Sequence, residues 1–280
     1  MRVFLRRGVI ALLAVVVLGY AGICAYIYAV QDKLMYPGGT TDVRPLPAPD
    51  SVGLADFRAV ILDTPDGEHL KAWWLPPQPG HGAVLYLHGN GSNSSDPRRL
   101  VRFADLHEAG YGVLAIEYRG FSGSTGHPSE PGLITDGLTG YDYIAKEAPG
   151  GKIALFGDSL GAAVAVAVAT QRPVAGVLLD SPFASMRRMG EQRYPYLPVG
   201  QLATSPWDSE RRIAQVKAPL LIAHCDADRT VPLAEGKRLF DAANQPKKMI
   251  VLPGCGHIET WVDPVKSTAL IDLADWIGGN

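Results

Sequence analysis

The sequence predicts an α/β domain built on a mostly parallel sheet with helices on both faces. Three observations carry this. Short apolar runs alternate with helix-length segments along most of the chain, as in a parallel sheet buried on both sides. An opening hairpin precedes that alternation. One apolar run, Lys152 to Phe156, meets an alanine- and valine-rich run, Ala162 to Thr170, across the sharp turn Gly157-Asp158-Ser159-Leu160-Gly161.

The elements follow in order. Phe57 to Leu62 and His69 to Leu75 read as strands around Pro65-Asp66-Gly67, a hairpin signal. Ala83 to Leu87 is a continuous apolar strand. Pro97 to Ala109 has helical periodicity and stops at Gly110, a helix-ending residue. Val113 to Glu117 is the next strand and Leu133 to Glu147 the next helix. Ile153 to Phe156 leads into the glycine-flanked turn. Val174 to Leu179, Leu220 to Ala223 and Met249 to Leu252 are further strands. Leu233 to Ala243 and Pro264 to Ile277 are further helices. Between Ser181 and Arg212 the rhythm breaks. Pro182, Pro195, Pro198 and Pro206 stand there with Tyr194, Tyr196 and Trp207, in a stretch too long for an ordinary connection. It predicts a small cap over about 182–212.

A chain of 280 residues suits one large domain plus an extra segment. Gly8 to Val30 contains no charged side chain, and about 20 apolar residues span a bilayer as a helix. Arg2, Arg6 and Arg7 precede this run, whereas Asp32 and Lys33 cancel after it. The positive-inside bias puts the N-terminus in the cytoplasm and the rest of the chain on the exported side. Tyr20, Tyr26 and Tyr28 stand where interfacial aromatics belong. The rival is a cleaved signal peptide, with cleavage after Ala29. Its apolar region is usually about 7–15 residues before a small-x-small site, whereas this run is longer and ends in bulky residues. Cys24 follows Ile23, which is too large for a lipoprotein site. The expected organisation is a signal anchor over 1–30, a proline-rich linker over 31–55 and the domain over 56–280. The formal charge of −2 makes no electrostatic case for nucleic acid, and 47% apolar residues suffice for a substantial core.

Gly-x-Ser-x-Gly between a strand and a helix is the pattern of a nucleophile elbow. The turn crowds the residues two before and two after the serine, so Gly157 and Gly161 leave room. It lifts the Ser159 hydroxyl above the sheet, next to a helix N-terminus that favours developing negative charge. A serine nucleophile needs a base, and the base an orienting carboxylate. In this arrangement the order along the chain is Ser, acid, His. Asp228 follows the strand that ends near His224, and His257 follows the last strand in Pro253-Gly254-Cys255-Gly256-His257. Both fall in loops at the strands' carboxyl ends, on the edge that carries Ser159. Asp226 and Asp180 are alternative acids, and Asp228 could instead cap a helix. His88 and His224 end strands and are expected to bond backbone; His69, His81, His107 and His127 are expected at the surface. His224, Cys225 and Asp226 are adjacent and so diverge, which argues against a metal site; no cofactor is implied. Two N–H groups are needed at the oxyanion. Leu160 supplies one, and Asn90, in the glycine-rich loop Leu87 to Asn93, the other. That loop lacks the lysine a phosphate-binding loop requires.

With these residues in place the chain resembles the α/β-hydrolase superfamily. More narrowly it is similar to membrane-anchored, serine-aminopeptidase-like hydrolase-domain proteins. Further matches are Lys33-Leu34-Met35-Tyr36-Pro37, Thr64-Pro65-Asp66-Gly67 with Leu70-Lys71-Ala72-Trp73, and Glu117 to Gly126 with Pro128-Ser129-Glu130. The likeness covers about residues 31–280. It implies esterase, lipase-like or thioesterase chemistry on a small or lipid-like acyl substrate. The triad would be Ser159, Asp228 and His257, with Asn90 and Leu160 at the oxyanion. A peptidase, for which Glu117 or Glu130 could hold a peptide terminus, and a silent binding protein on the same fold are the alternatives. Cys225 stands where the family pattern has glycine, and Cys255 lies two residues before His257. In an oxidising compartment they would form a disulfide; two small buried thiols are the other reading.

Overall fold

The structure, a computed structural model, describes residues 2–41 and 44–278. Eight strands form one sheet: β1 (Arg58–Asp63), β2 (His69–Leu75), β3 (Ala83–Leu87), β4 (Gly112–Ile116), β5 (Ile153–Asp158), β6 (Gly176–Asp180), β7 (Leu220–Cys225) and β8 (Lys247–Leu252). Their spatial order is β1-β2-β4-β3-β5-β6-β7-β8. The β1–β2 hairpin and the β2–β4 pair are antiparallel, and all other pairs are parallel. The loops after β3, β5, β7 and β8 therefore open at one edge.

The helices are α1 (Arg2–Met35), α2 (Pro37–Thr40), α3 (Pro97–Glu108), α4 (Glu130–Glu147), α5 (Leu160–Ala169), α6 (Met186–Arg193), α7 (Val199–Leu202), α8 (Ser209–Ile213), α9 (Leu233–Ala242) and α10 (Val265–Ile277). Successive residues of a strand point to opposite faces, and the core divides accordingly. Leu85 and Leu87 of β3 pack with Leu133 of α4, Val164 and Val168 of α5, and Leu239 of α9. Val84 and Tyr86 face the other way, with Phe103 and Leu106 of α3 and Leu273 and Ile277 of α10. Most strand and helix ends fall within a few residues of expectation. Helix α4 starts at Glu130, three residues earlier than the apolar pattern suggests. Ser129 caps it, accepting from Gly132 N–H at 3.2 Å, and Pro131 sits in the first turn, where its missing N–H costs nothing.

Phe4–Met35 is long and apolar enough to cross a membrane and fits a single-pass anchor. The helix does not stop near residue 30. Gln31 to Met35 continue it, and the segment expected as a linker is packed on the domain. Tyr36 is fully buried, and Pro49 and Leu54 are buried too. The reason is a distant partner: the Tyr36 hydroxyl accepts from Trp207 Nε1 at 3.0 Å inside the domain. Within 182–212, α6, α7 and α8 form the cap, tied at its base by a bridge between Ser185 and Asp208.

Candidate active site

Ser159 stands between β5 and α5 with φ of +54°. A non-glycine residue there is strained and must be held by its surroundings. A Cβ on Gly157 would run into the backbone of Gly161, and a Cβ on Gly161 into the carbonyl of Leu87. The two glycines thus let the end of β3, the turn and α5 close on one another. Ser159 N–H donates to Asp180 O at 2.9 Å, so the start of α5 is pinned to the end of β6.

Ser159 and His257 line one cleft of about 490 Å³ with Asn90, Ser92, Arg98 and Ile258. Asp228 lies behind His257, its Oδ2 2.7 Å from His257 Nδ1. Asp228 Oδ1 accepts from Thr230 N–H at 2.8 Å and Val231 N–H at 2.9 Å. Burial pulls the Asp228 carboxyl upward, but the His257 bond and these N–H groups outweigh it and hold the pKa below the usual range. An ionised carboxylate only accepts, so in the neutral imidazole of His257 the proton sits on Nδ1 and the lone pair on Nε2.

The other candidates are engaged with other groups, and His224 Nε2 stands 3.6 Å from Asp228 Oδ2. The Asp226 carboxylate accepts from Gly254 N–H at 2.7 Å. Asp180 is held by Arg102 and by Ser181, whose Oγ donates to it at 2.9 Å. His224 is buried, and its Nε2 donates to Val231 O at 3.0 Å; burial lowers its pKa and keeps it neutral. Cys225 is joined to Cys255 in a disulfide, with Cα atoms 5.2 Å apart. This bond clips the Asp228 loop to the His257 loop.

The glycine-rich loop after β3 meets the serine turn. Gly89 N–H donates to Asp158 Oδ2 at 3.0 Å, and His88 Nδ1 donates to Gly89 O at 2.7 Å. Among the described residues the N–H groups of Asn90 and Leu160 have no hydrogen-bond partner. Glu117 is engaged beneath the loop, accepting from Ser94 N–H at 2.8 Å with His88 Nε2 3.3 Å away. Glu130 accepts from Trp207 N–H at 2.7 Å and Arg212 at 2.6 Å. Neither carboxylate lines the cleft.

One group of residues was not foreseen. Arg99 and Arg102 of α3 are both buried, under the serine turn. Arg99 grips Asp158 with Nη2 at 2.8 Å and Nε at 3.2 Å, and Tyr86 OH donates to the same carboxylate at 2.7 Å. Burial alone would raise the Asp158 pKa, but the two guanidinium groups and Tyr86 override it and depress it strongly. Arg102 spans Tyr86 and Asp180 and lies over the rings of Phe156 and Trp261. A signal did exist. Both β5 and β6 end in Asp followed by Ser, and two buried acids at one sheet edge demand cations; residues three apart on one helix face can supply them.

A serine elbow at the edge of this sheet, with acid and histidine on later strand loops, defines an α/β hydrolase. The family model described as serine aminopeptidase, S33, matches residues 78–207. A protein of Mycobacterium tuberculosis is 38% identical over 256 residues, 90% of this chain and 89% of its own. The lysophosphatidylserine lipase ABHD12 of Danio rerio is 30% identical over 190 residues, 61% of this chain and 50% of its own. The fold matches the Pyrococcus furiosus esterase Pf2001 with a TM-score of 0.70 at 22% identity, over 84% of this chain and 98% of that one. The chain belongs to the α/β-hydrolase superfamily.

Proposed function

We infer that the protein is a serine hydrolase that cleaves carboxylic ester or thioester bonds through Ser159, His257 and Asp228. The observation that carries this is the 2.7 Å contact of His257 Nδ1 with Asp228, which leaves Nε2 as a base in the cleft that Ser159 lines. His257 Nε2 takes the Ser159 proton as Oγ attacks the substrate carbonyl carbon. The carbonyl electrons move onto oxygen, which the N–H groups of Asn90 and Leu160 stabilise. Collapse expels the alcohol or thiol, which takes the proton from His257, and leaves an acyl-Ser159. Water, deprotonated by His257, then releases the acid. Asp228 keeps the imidazole oriented and steadies its charged form.

An apolar substrate is favoured by a second cleft of about 210 Å³ between α1 and the cap, lined among others by Ile27, Leu34, Met35, Leu197 and Leu202. The lipase and esterase relatives agree with this reading. In the same reading α1 is a signal anchor with its N-terminus cytoplasmic, and residues 56–280 work on the exported side, where the disulfide is stable. The test is fluorophosphonate labelling of the full chain beside Ser159→Ala, followed by p-nitrophenyl esters and aminoacyl-p-nitroanilides. Labelling of the parent alone with ester turnover supports the reading. An unlabelled, folded parent refutes it, and preference for the anilide replaces it with a peptidase.

A further inference from the structure

The residues Met35-Tyr36-Pro37-Gly38-Gly39, at the exit of α1, serve no step of the proposed reaction, yet they touch its machinery. Asn90 Nδ2 donates to Met35 O at 2.8 Å, and Gly38 N–H donates to Asn90 O at 2.9 Å. Asn90 is thus gripped by its side chain and its carbonyl, both by this segment. Its own N–H belongs to the planar Gly89–Asn90 peptide, whose oxygen His88 holds at 2.7 Å. Two anchors therefore set the direction of that N–H: His88 on one side, the end of α1 on the other.

The fit is close. A Cβ on Gly38 would sit 2.8 Å from Asn90 O and 2.9 Å from the Phe121 ring, and one on Gly39 would sit 2.7 Å from the same ring. Phe121 in turn meets His88 edge to face, with centroids 5.4 Å apart. On its far side the segment is fastened to the cap through Tyr36 and Trp207.

We propose that Met35–Gly39 is a positioning element of the active site, holding Asn90 so that its N–H meets the substrate oxyanion and making the exit of α1 part of that site. This rests on the serine hydrolase reading. Asn90→Ala removes the bond to Met35 and keeps the N–H. Gly38→Ala presses a methyl group on Asn90 O from the opposite side. Each is measured in the full chain in detergent, on a short p-nitrophenyl ester and with a trifluoromethyl ketone, whose serine adduct carries an oxyanion. In both variants kcat/KM falls roughly 10- to 100-fold, almost wholly in kcat, and the ketone Ki rises in the same proportion. Tyr141→Phe cuts the bond of that hydroxyl to Pro173 O and involves neither Asn90 nor Met35–Gly39. It lowers the melting temperature and leaves Ki within about twofold. Wild-type kcat in both Asn90→Ala and Gly38→Ala overturns the inference. So does a rise in Ki for Tyr141→Phe equal to theirs, which would mean general loosening. A wild-type chain that neither hydrolyses esters nor labels at Ser159 refutes the hydrolase reading itself; an active wild type with indifferent variants refutes this inference alone.

Discussion

Replacing Arg99 by leucine tests the polar layer under the serine turn. Arg99 is 2% exposed and Asp158 is fully buried, so neither charge has water to fall back on. Removing the guanidinium leaves Asp158 with Tyr86 OH, Gly89 N–H and Arg102, whose nearest nitrogen is 4.0 Å away. Breaking a buried pair from one side costs about 3–5 kcal/mol. Arg102 and Tyr86 remain, so the lower half of that range is expected, near 3 kcal/mol. In a domain of this size that corresponds to a melting point lower by roughly 6–12 °C. The loss depends on pH. The Asp158 pKa is depressed in the folded state, so its stabilisation is complete above the ordinary carboxylate range and fades as pH falls toward the folded value. The variant relaxes that depression, so the gap to wild type is widest near neutrality and narrows in acid. Urea unfolding of the full chain in detergent at several pH values measures this. A loss under about 1 kcal/mol at neutral pH, or a gap that widens in acid, would refute the reasoning.

Three further outcomes are expected. Ser159→Ala abolishes fluorophosphonate labelling and lowers turnover by a factor on the order of 10⁴–10⁶, with an unchanged melting point. Asp228→Asn keeps the fold but lets His257 adopt the wrong tautomer, lowering kcat by about 10³–10⁴; a pH–rate profile measures it against wild type. Cys225→Ser with Cys255→Ser opens a loop of 30 residues and costs about 3–4 kcal/mol by the loop-entropy account, read by urea unfolding with and without reductant.

The sheet was legible because its strands are continuous apolar runs, and β2 and β3 match their expected bounds residue for residue. The serine turn was legible because its glycines are spaced by the contact they permit. The order of strands put Asp228 and His257 in neighbouring loops, and the two side chains meet at 2.7 Å. What escaped has a common cause. Arg99 pairs with Asp158 across 59 positions and Arg102 with Asp180 across 78. No local pattern records such partners, so charge on a helix reads as solvated. The same holds for residues 31–41, where proline and glycine suggest a loose connection. The burial of Tyr36 depends on Trp207, 171 positions away.

Helix α1 is also fastened along its flank. Tyr20 OH donates to Tyr196 O at 2.8 Å, Gln31 Nε2 to Leu202 O at 3.1 Å, and Thr204 N–H to Gln31 Oε1 at 3.0 Å. Tyr20 stands 15 residues before Met35, roughly 22 Å along the helix. With α1 as the proposed anchor, the domain has no swivel and leans toward the headgroup layer, its exposed Tyr194 and Tyr196 foremost. With the lipid-like substrate of the proposed function, such a molecule would draw that substrate from its own leaflet. Its rate then follows the number of substrate molecules per unit area, and inert lipid slows it as added water slows a dissolved enzyme.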